Sequence, residues 1–128
     1  MAHEIIHPDS VHPTKGYSHV ARSGNMALIS GQVAQDKAGN LVGVGDFAAQ
    51  ARQVFRNLKS ITEELGGGLG NIAKINVYLT DPRNIEDFRA VRDEFMGEPY
   101  PASTLVIIDG LARPEWMIEV EATVFLDA

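Results

Sequence analysis

A chain of 128 residues, 45% of them hydrophobic, can bury one sizeable core, and a single domain over residues 1–128 is expected. A formal net charge of −6, with eleven Lys and Arg scattered along the chain, argues against a surface built to neutralise nucleic-acid phosphates. The absence of cysteine excludes a disulfide framework, a thiolate nucleophile and a Cys-based zinc site. No window approaches the ~18 consecutive apolar residues of a membrane span, and no basic stretch precedes an apolar run at the start, so a soluble, cytoplasmic protein is expected.

In chain order, residues 4–6 suggest a short strand, and a loop over residues 8–16 follows. Residues 17–22, the turn formers Ser23, Gly24 and Asn25, and residues 26–30 make a hairpin, with Gly31 breaking its second arm. Residues 32–45 hold many turn formers and are expected to be a surface loop. Phe47, Ala51, Val54, Phe55, Leu58, Ile61 and Leu65 recur at helical spacing, predicting a helix over 46–65 that Gly66, Gly67 and Gly68 end.

Residues 72–80 alternate as a strand, with Ala73, Ile75, Val77 and Leu79 on one face and Lys74, Asn76 and Tyr78 on the other. After the turn at Asp81, Pro82 and Arg83, Asn84 is expected to cap a second helix running to Met96. The last quarter, residues 100–125, has two arms rich in β-branched residues around a breaker at 109–114 and reads as a closing hairpin. In its second arm Ile118, Val120, Ala122 and Val124 alternate with Glu119, Glu121, Thr123 and Phe125.

The pattern β-β-β-α-β-α-β-β predicts an α+β domain whose two helices pack on one face of a mixed sheet. The other face would hold Tyr78, Thr104, Val106, Glu119, Glu121 and Phe125, too apolar for solvent alone and too polar for a sealed core. Self-association through that face is expected.

Other features carry less. His3, His7, His12 and His19 show no i, i+4 pair and no carboxylate at ligand spacing, so no metal site is predicted. The glycine-rich run at 66–70 follows a helix and lacks the Gly-Lys-Ser/Thr of a phosphate loop. Ser30, in Ile-Ser-Gly-Gln, is not in a nucleophile elbow.

Taken together, Gly16-Tyr17-Ser18-His19, Ile29-Ser30-Gly31-Gln32, Gln50-Ala51-Arg52-Gln53-Val54, the run Ile75-Asn76-Val77-Tyr78-Leu79-Thr80-Asp81, Asp87-Phe88, Pro101-Ala102-Ser103-Thr104 and Ile118-Glu119-Val120-Glu121-Ala122 resemble the successive motifs of the RidA/YjgF family. The resemblance covers essentially the whole chain. It implies a chorismate-mutase-like fold, a homotrimer built round a central barrel with three clefts between subunits, and hydrolysis of small enamines and imines such as 2-aminoacrylate to 2-keto acids and ammonia, with no cofactor or metal.

Carried over by position, the resemblance implies that Glu119 is the catalytic carboxylate that orients water. Tyr17, Ser30, Gly31, Ser103 and Thr104 would line the substrate site. Two positions depart from the pattern: Ser103 stands where imine-hydrolysing members carry an Arg for the substrate carboxylate, and Arg92 where they carry Asn. A Ser hydroxyl has no charge and one donor against the paired donors of a guanidinium. Arg92 is therefore the expected replacement cation, with Arg113 a weaker candidate. The partners implied are a 2-imino- or 2-keto-acid-like small molecule and further copies of the chain, with no nucleic acid and no membrane. The alternatives are a non-catalytic trimer that binds a small acid, and an RNA-acting or chaperone-like protein.

Overall fold

The computed structural model describes residues 2–127. Its elements run β1 (Glu4–Ile6), β2 (Val20–Ser23), β3 (Met26–Gln32), α1 (Phe47–Glu64), β4 (Ile72–Leu79), α2 (Ile85–Phe95), β5 (Ala102–Ile107) and β6 (Ile118–Phe125), in the predicted order. Six strands make one mixed sheet in the order β1-β2-β3-β6-β4-β5, with both helices on one face. All neighbours are antiparallel except β4 and β5. Among the described residues no helix is long and apolar enough to cross a membrane.

The β2–β3 hairpin turns through Gly24 and Asn25, with Ser23 opposite Met26. Gly24 takes φ +59°, as a two-residue turn of the II′ kind asks of its first central residue. Helix α1 starts where the Asp46 carboxylate accepts the Ala49 N–H at 3.1 Å. It stops in a Schellman closure, in which the Gly66 and Gly67 N–H groups reach the Glu63 and Thr62 carbonyls while Gly66 adopts φ +92°. The predicted stripe is the buried one: Phe55 is fully buried and stacks on Phe88 and Phe95 of α2 at 6.1 and 5.5 Å.

Four expectations are corrected. The two arms of the last quarter do not form a hairpin: β6 lies between β3 and β4, and β5 pairs in parallel with β4 at the sheet edge. Ile118, Val120, Ala122 and Val124 are all buried on one face, so β6 is a central strand that needs ladders on both sides. β5 follows β4 through α2, the crossover that parallel neighbours require.

Gly31 does not end β3, which continues to Gln32 through a bulge. In β4, a second irregularity between Ile72 and Lys74 turns Ile72 into the core and leaves Ala73 exposed, contrary to strict alternation. At α2, the Asn84 side chain makes no cap bond; the chain enters through a single 3-10 turn whose N–H at Arg83 is accepted by Asp81 at 2.9 Å.

Candidate functional site

The sheet face away from the helices is organised in rows set by the ladders. Tyr78 lies opposite Glu119 on one side and Val106 on the other; Asn76 likewise joins Glu121 to Thr104. On β3, Ile29 pairs with Ala122 and Gln32 with Val120, so Ser30 and Gly31 together face the single residue Glu121. The bulge brings backbone close to the carboxylates. A Cβ added to Gly31 would sit 2.6 Å from Cδ and 2.8 Å from Cγ of Glu119, closer than real Cβ contacts come. Only glycine lets Glu119 fold back over this strand.

The two carboxylates have different surroundings. Burial pushes the Glu119 carboxyl above its ordinary range, and the charge of Glu121 adds to that. Glu121 instead accepts a 2.6 Å hydrogen bond from the Tyr78 hydroxyl. Tyr17, half exposed, stands near enough for the Glu119 charge to raise its phenol, behind burial as the larger cause. Glu121 is thus the carboxyl hydrogen-bonded within the sheet face, while Glu119 is the half-buried one of the pair. Such an acid can accept a proton from water and return it to a departing nitrogen.

The bulge is tied to the segment that carries Tyr17. The Ser30 hydroxyl donates to the Ser18 carbonyl at 2.6 Å, and the Ser30 N–H donates to the His19 carbonyl at 2.9 Å. The Gln32 amide nitrogen donates both to the Ser30 carbonyl and to His19 Nδ1, each at 3.0 Å. His19, Gln32 and Tyr78 had no assigned part in the sequence reading. The parts of His19 and Gln32 need the closed β2–β3 hairpin, which buries both, and the Tyr78 contact needs the register of β4 against β6. His12 and His19 do meet edge to face at 4.8 Å, but among the described residues no group of three or more potential ligands could hold a metal ion.

Within one chain, Tyr17, Ser30, Gly31 and Glu119 come together, and the remaining predicted positions stand apart. Thr104 is on the open face of the edge strand β5, where its hydroxyl accepts from Lys74 Nζ at 2.7 Å. Ser103, the next residue back, shares the helix-side face with Ile75, its register partner. Arg92 is on α2, also on the helix side; its guanidinium donates to Asp93 at 2.9 Å and lies over the Tyr100 ring at 4.7 Å. Arg113 lies over the Trp116 ring at 5.9 Å in the loop before β6.

A family model described as Endoribonuclease L-PSP matches residues 8–126 of the chain. A RutC family protein of Pyrococcus horikoshii is 34% identical over 126 residues, 98% of either chain. A protein of Dermatophagoides farinae named 2-iminobutanoate/2-iminopropanoate deaminase is 29% identical over 126 residues, 96% of this chain and 95% of its own. Among solved structures, RidA from an Antarctic Psychrobacter superposes with a TM-score of 0.86 at 33% identity, covering 95% of this chain and 98% of its own.

Proposed function

Because the chain belongs to the Endoribonuclease L-PSP family, also called RidA/YjgF, we propose that it is a hydrolytic deaminase of small imines and their enamine tautomers, working without cofactor. The observation that carries this reading is the Glu119 carboxyl, half-buried over the Gly31 backbone and held towards its protonated form by burial and by Glu121. In its ionised state Glu119 takes a proton from a water that adds to the C=N carbon. With the imine protonated at nitrogen this addition gives a neutral carbinolamine; Glu119 returns the proton to nitrogen and takes up the hydroxyl proton as the C–N bond breaks, leaving a 2-keto acid, ammonia and one proton on Glu119 that passes to solvent. Ser30 and Gly31 form the wall against which the substrate lies, and Tyr17 covers it.

The active unit in this reading is a homotrimer. Ser103, Thr104 and Arg92 lie on or near β5, two strands from β6 in the sheet order; in this reading they enter the cleft from a neighbouring copy. Arg92 then meets the substrate carboxylate in place of the Arg that Ser103 replaces. Losing such a contact costs about 1.5–3 kcal/mol, roughly tenfold or more in binding.

The test generates 2-imino acids with an amino-acid oxidase, lets semicarbazide compete for them, and follows keto-acid formation. Wild-type protein should accelerate it; Glu119→Gln should lose about 10²- to 10⁴-fold of that acceleration. Arg92→Ala should weaken saturation roughly tenfold or more. No acceleration with any of several side chains would remove the catalytic reading and leave a protein that binds small acids without turnover.

A further inference from the structure

His19 is only 2% exposed, yet it carries two polar ring nitrogens into the interior. Both are used. The amide nitrogen of Gln32 can only donate, so His19 Nδ1 accepts at 3.0 Å and the ring proton sits on Nε2, which donates to the His12 carbonyl at 2.7 Å. The same amide nitrogen holds the Ser30 carbonyl, while the Ser30 N–H is held by the carbonyl of His19 itself. The amide oxygen of Gln32 is buried with no hydrogen-bond partner among the described residues, so its nitrogen end alone orients that side chain. His19 thus holds the first bulge residue at both its N–H and, through Gln32, its carbonyl. The next residue is Gly31, whose α-carbon lies against the Glu119 carboxyl. Tyr17 meets the imidazole edge-on at 6.2 Å.

We propose that His19 is a positioning residue: through Gln32 it fixes the Ser30–Gly31 bulge that sets the depth of the Glu119 carboxyl, and through its ring it seats Tyr17. Its kinetic consequence rests on the imine-hydrolase reading; its consequence for Glu119 does not. A bulge released from this hold admits water to Glu119 and misplaces the acid relative to its substrate. Displacements of about 1 Å in such sites cost up to on the order of a hundredfold in rate.

The experiment compares wild type, His19→Leu, which fills the space without a lone pair, and His19→Gln, whose amide can accept from Gln32 and donate to the His12 carbonyl. His19→Leu should lower kcat roughly tenfold to a hundredfold with KM nearly unchanged, and His19→Gln should restore most of it. In parallel, carbon-13 NMR should show the Glu119 titration midpoint falling towards the ordinary carboxylate range in the Leu variant and staying in place in the Gln variant. An unchanged kcat and an unchanged midpoint in folded His19→Leu would overturn the proposal. So would a Gln variant no better than Leu. If wild type hydrolyses no imine, the functional reading has failed and the midpoint alone decides: moved, the positioning role stands; unmoved, it falls. Should His19→Leu not fold, Gln32→Met cuts the same link from the other end and is read in the same way.

Discussion

Gly31 and Glu119 occupy one another's space, and each makes a distinct prediction. In Gly31→Ala the new methyl overlaps the Glu119 side chain, which must swing out or push β3 aside. Overpacking of this kind costs about 1–3 kcal/mol, so urea unfolding should show a loss in that range together with a Glu119 carboxyl titrating closer to its ordinary value. For Glu119 itself, the raised folded value means the folded state binds more protons than the unfolded chain between the two values. Its contribution to stability is fully present below the ordinary carboxylate range and is lost as pH rises through the folded value. Glu119→Gln cannot ionise. Its melting temperature should therefore exceed wild type at about pH 8, and the difference should close towards about pH 4. A constant difference across that range would show that the carboxyl is not shifted.

Among the secondary-structure elements, α1 does more than cover the sheet. Gln50, 1% exposed, donates from its amide to the carbonyls of Gly43 and Glu115 at 3.1 and 2.9 Å and accepts the Met117 N–H at 2.9 Å. One helix side chain thereby pins the loop before α1 and the loop that delivers β6 to Glu119. Gln50→Leu keeps the volume and orphans two backbone groups, the Glu115 carbonyl and the Met117 N–H, while the Gly43 carbonyl keeps the Asp46 N–H at 2.9 Å; each orphan costs about 1–3 kcal/mol if it stays dry. Since part of that is recovered by water, a loss of at least about 2 kcal/mol is expected, read as a lower urea midpoint at unchanged slope.

The extent of α1 was legible in the sequence because its signals are local: the apolar stripe, Asp46 at the start and Gly66 at the end. The bulges at Ile29–Gln32 and Ile72–Lys74 were not, since alternation carries no mark of a residue inserted against one partner strand. The partner of β6 was misread for a related reason. Chain proximity suggests a hairpin with β5, whereas burial of the whole aliphatic face is satisfied only between β3 and β4. For the site, the motifs carried Glu119, Ser30, Gly31 and Tyr17, but His19 and Gln32 acquire their part only when the hairpin closes and brings them within 3.0 Å.

For the molecule as a whole, the open sheet face is the surface available for association. Leu28 and Phe125 are 48% and 47% exposed, with Ile5 and Val106 close behind at 41% and 40%, although all four stand on regular strands with room to be covered. The same face carries Tyr78 bonded to Glu121 and Lys74 bonded to Thr104, which pairs four of its polar side chains with one another. Large apolar side chains left at a sheet face favour association, and cyclic symmetry closes it without leaving a free copy of the patch. On the trimer proposed above, sedimentation equilibrium should give three times the 13.9 kDa chain mass. Leu28→Glu places a charge in the covered face but touches neither the core nor Glu119. It should shift the species towards monomer while leaving the circular dichroism of the fold unchanged, and, on the proposal that Arg92 and Ser103 reach the cleft from a neighbour, imine hydrolysis should fall with the trimer fraction. A monomeric Leu28→Glu variant that keeps full activity would place the whole site within one chain, and Arg92 would lose its role.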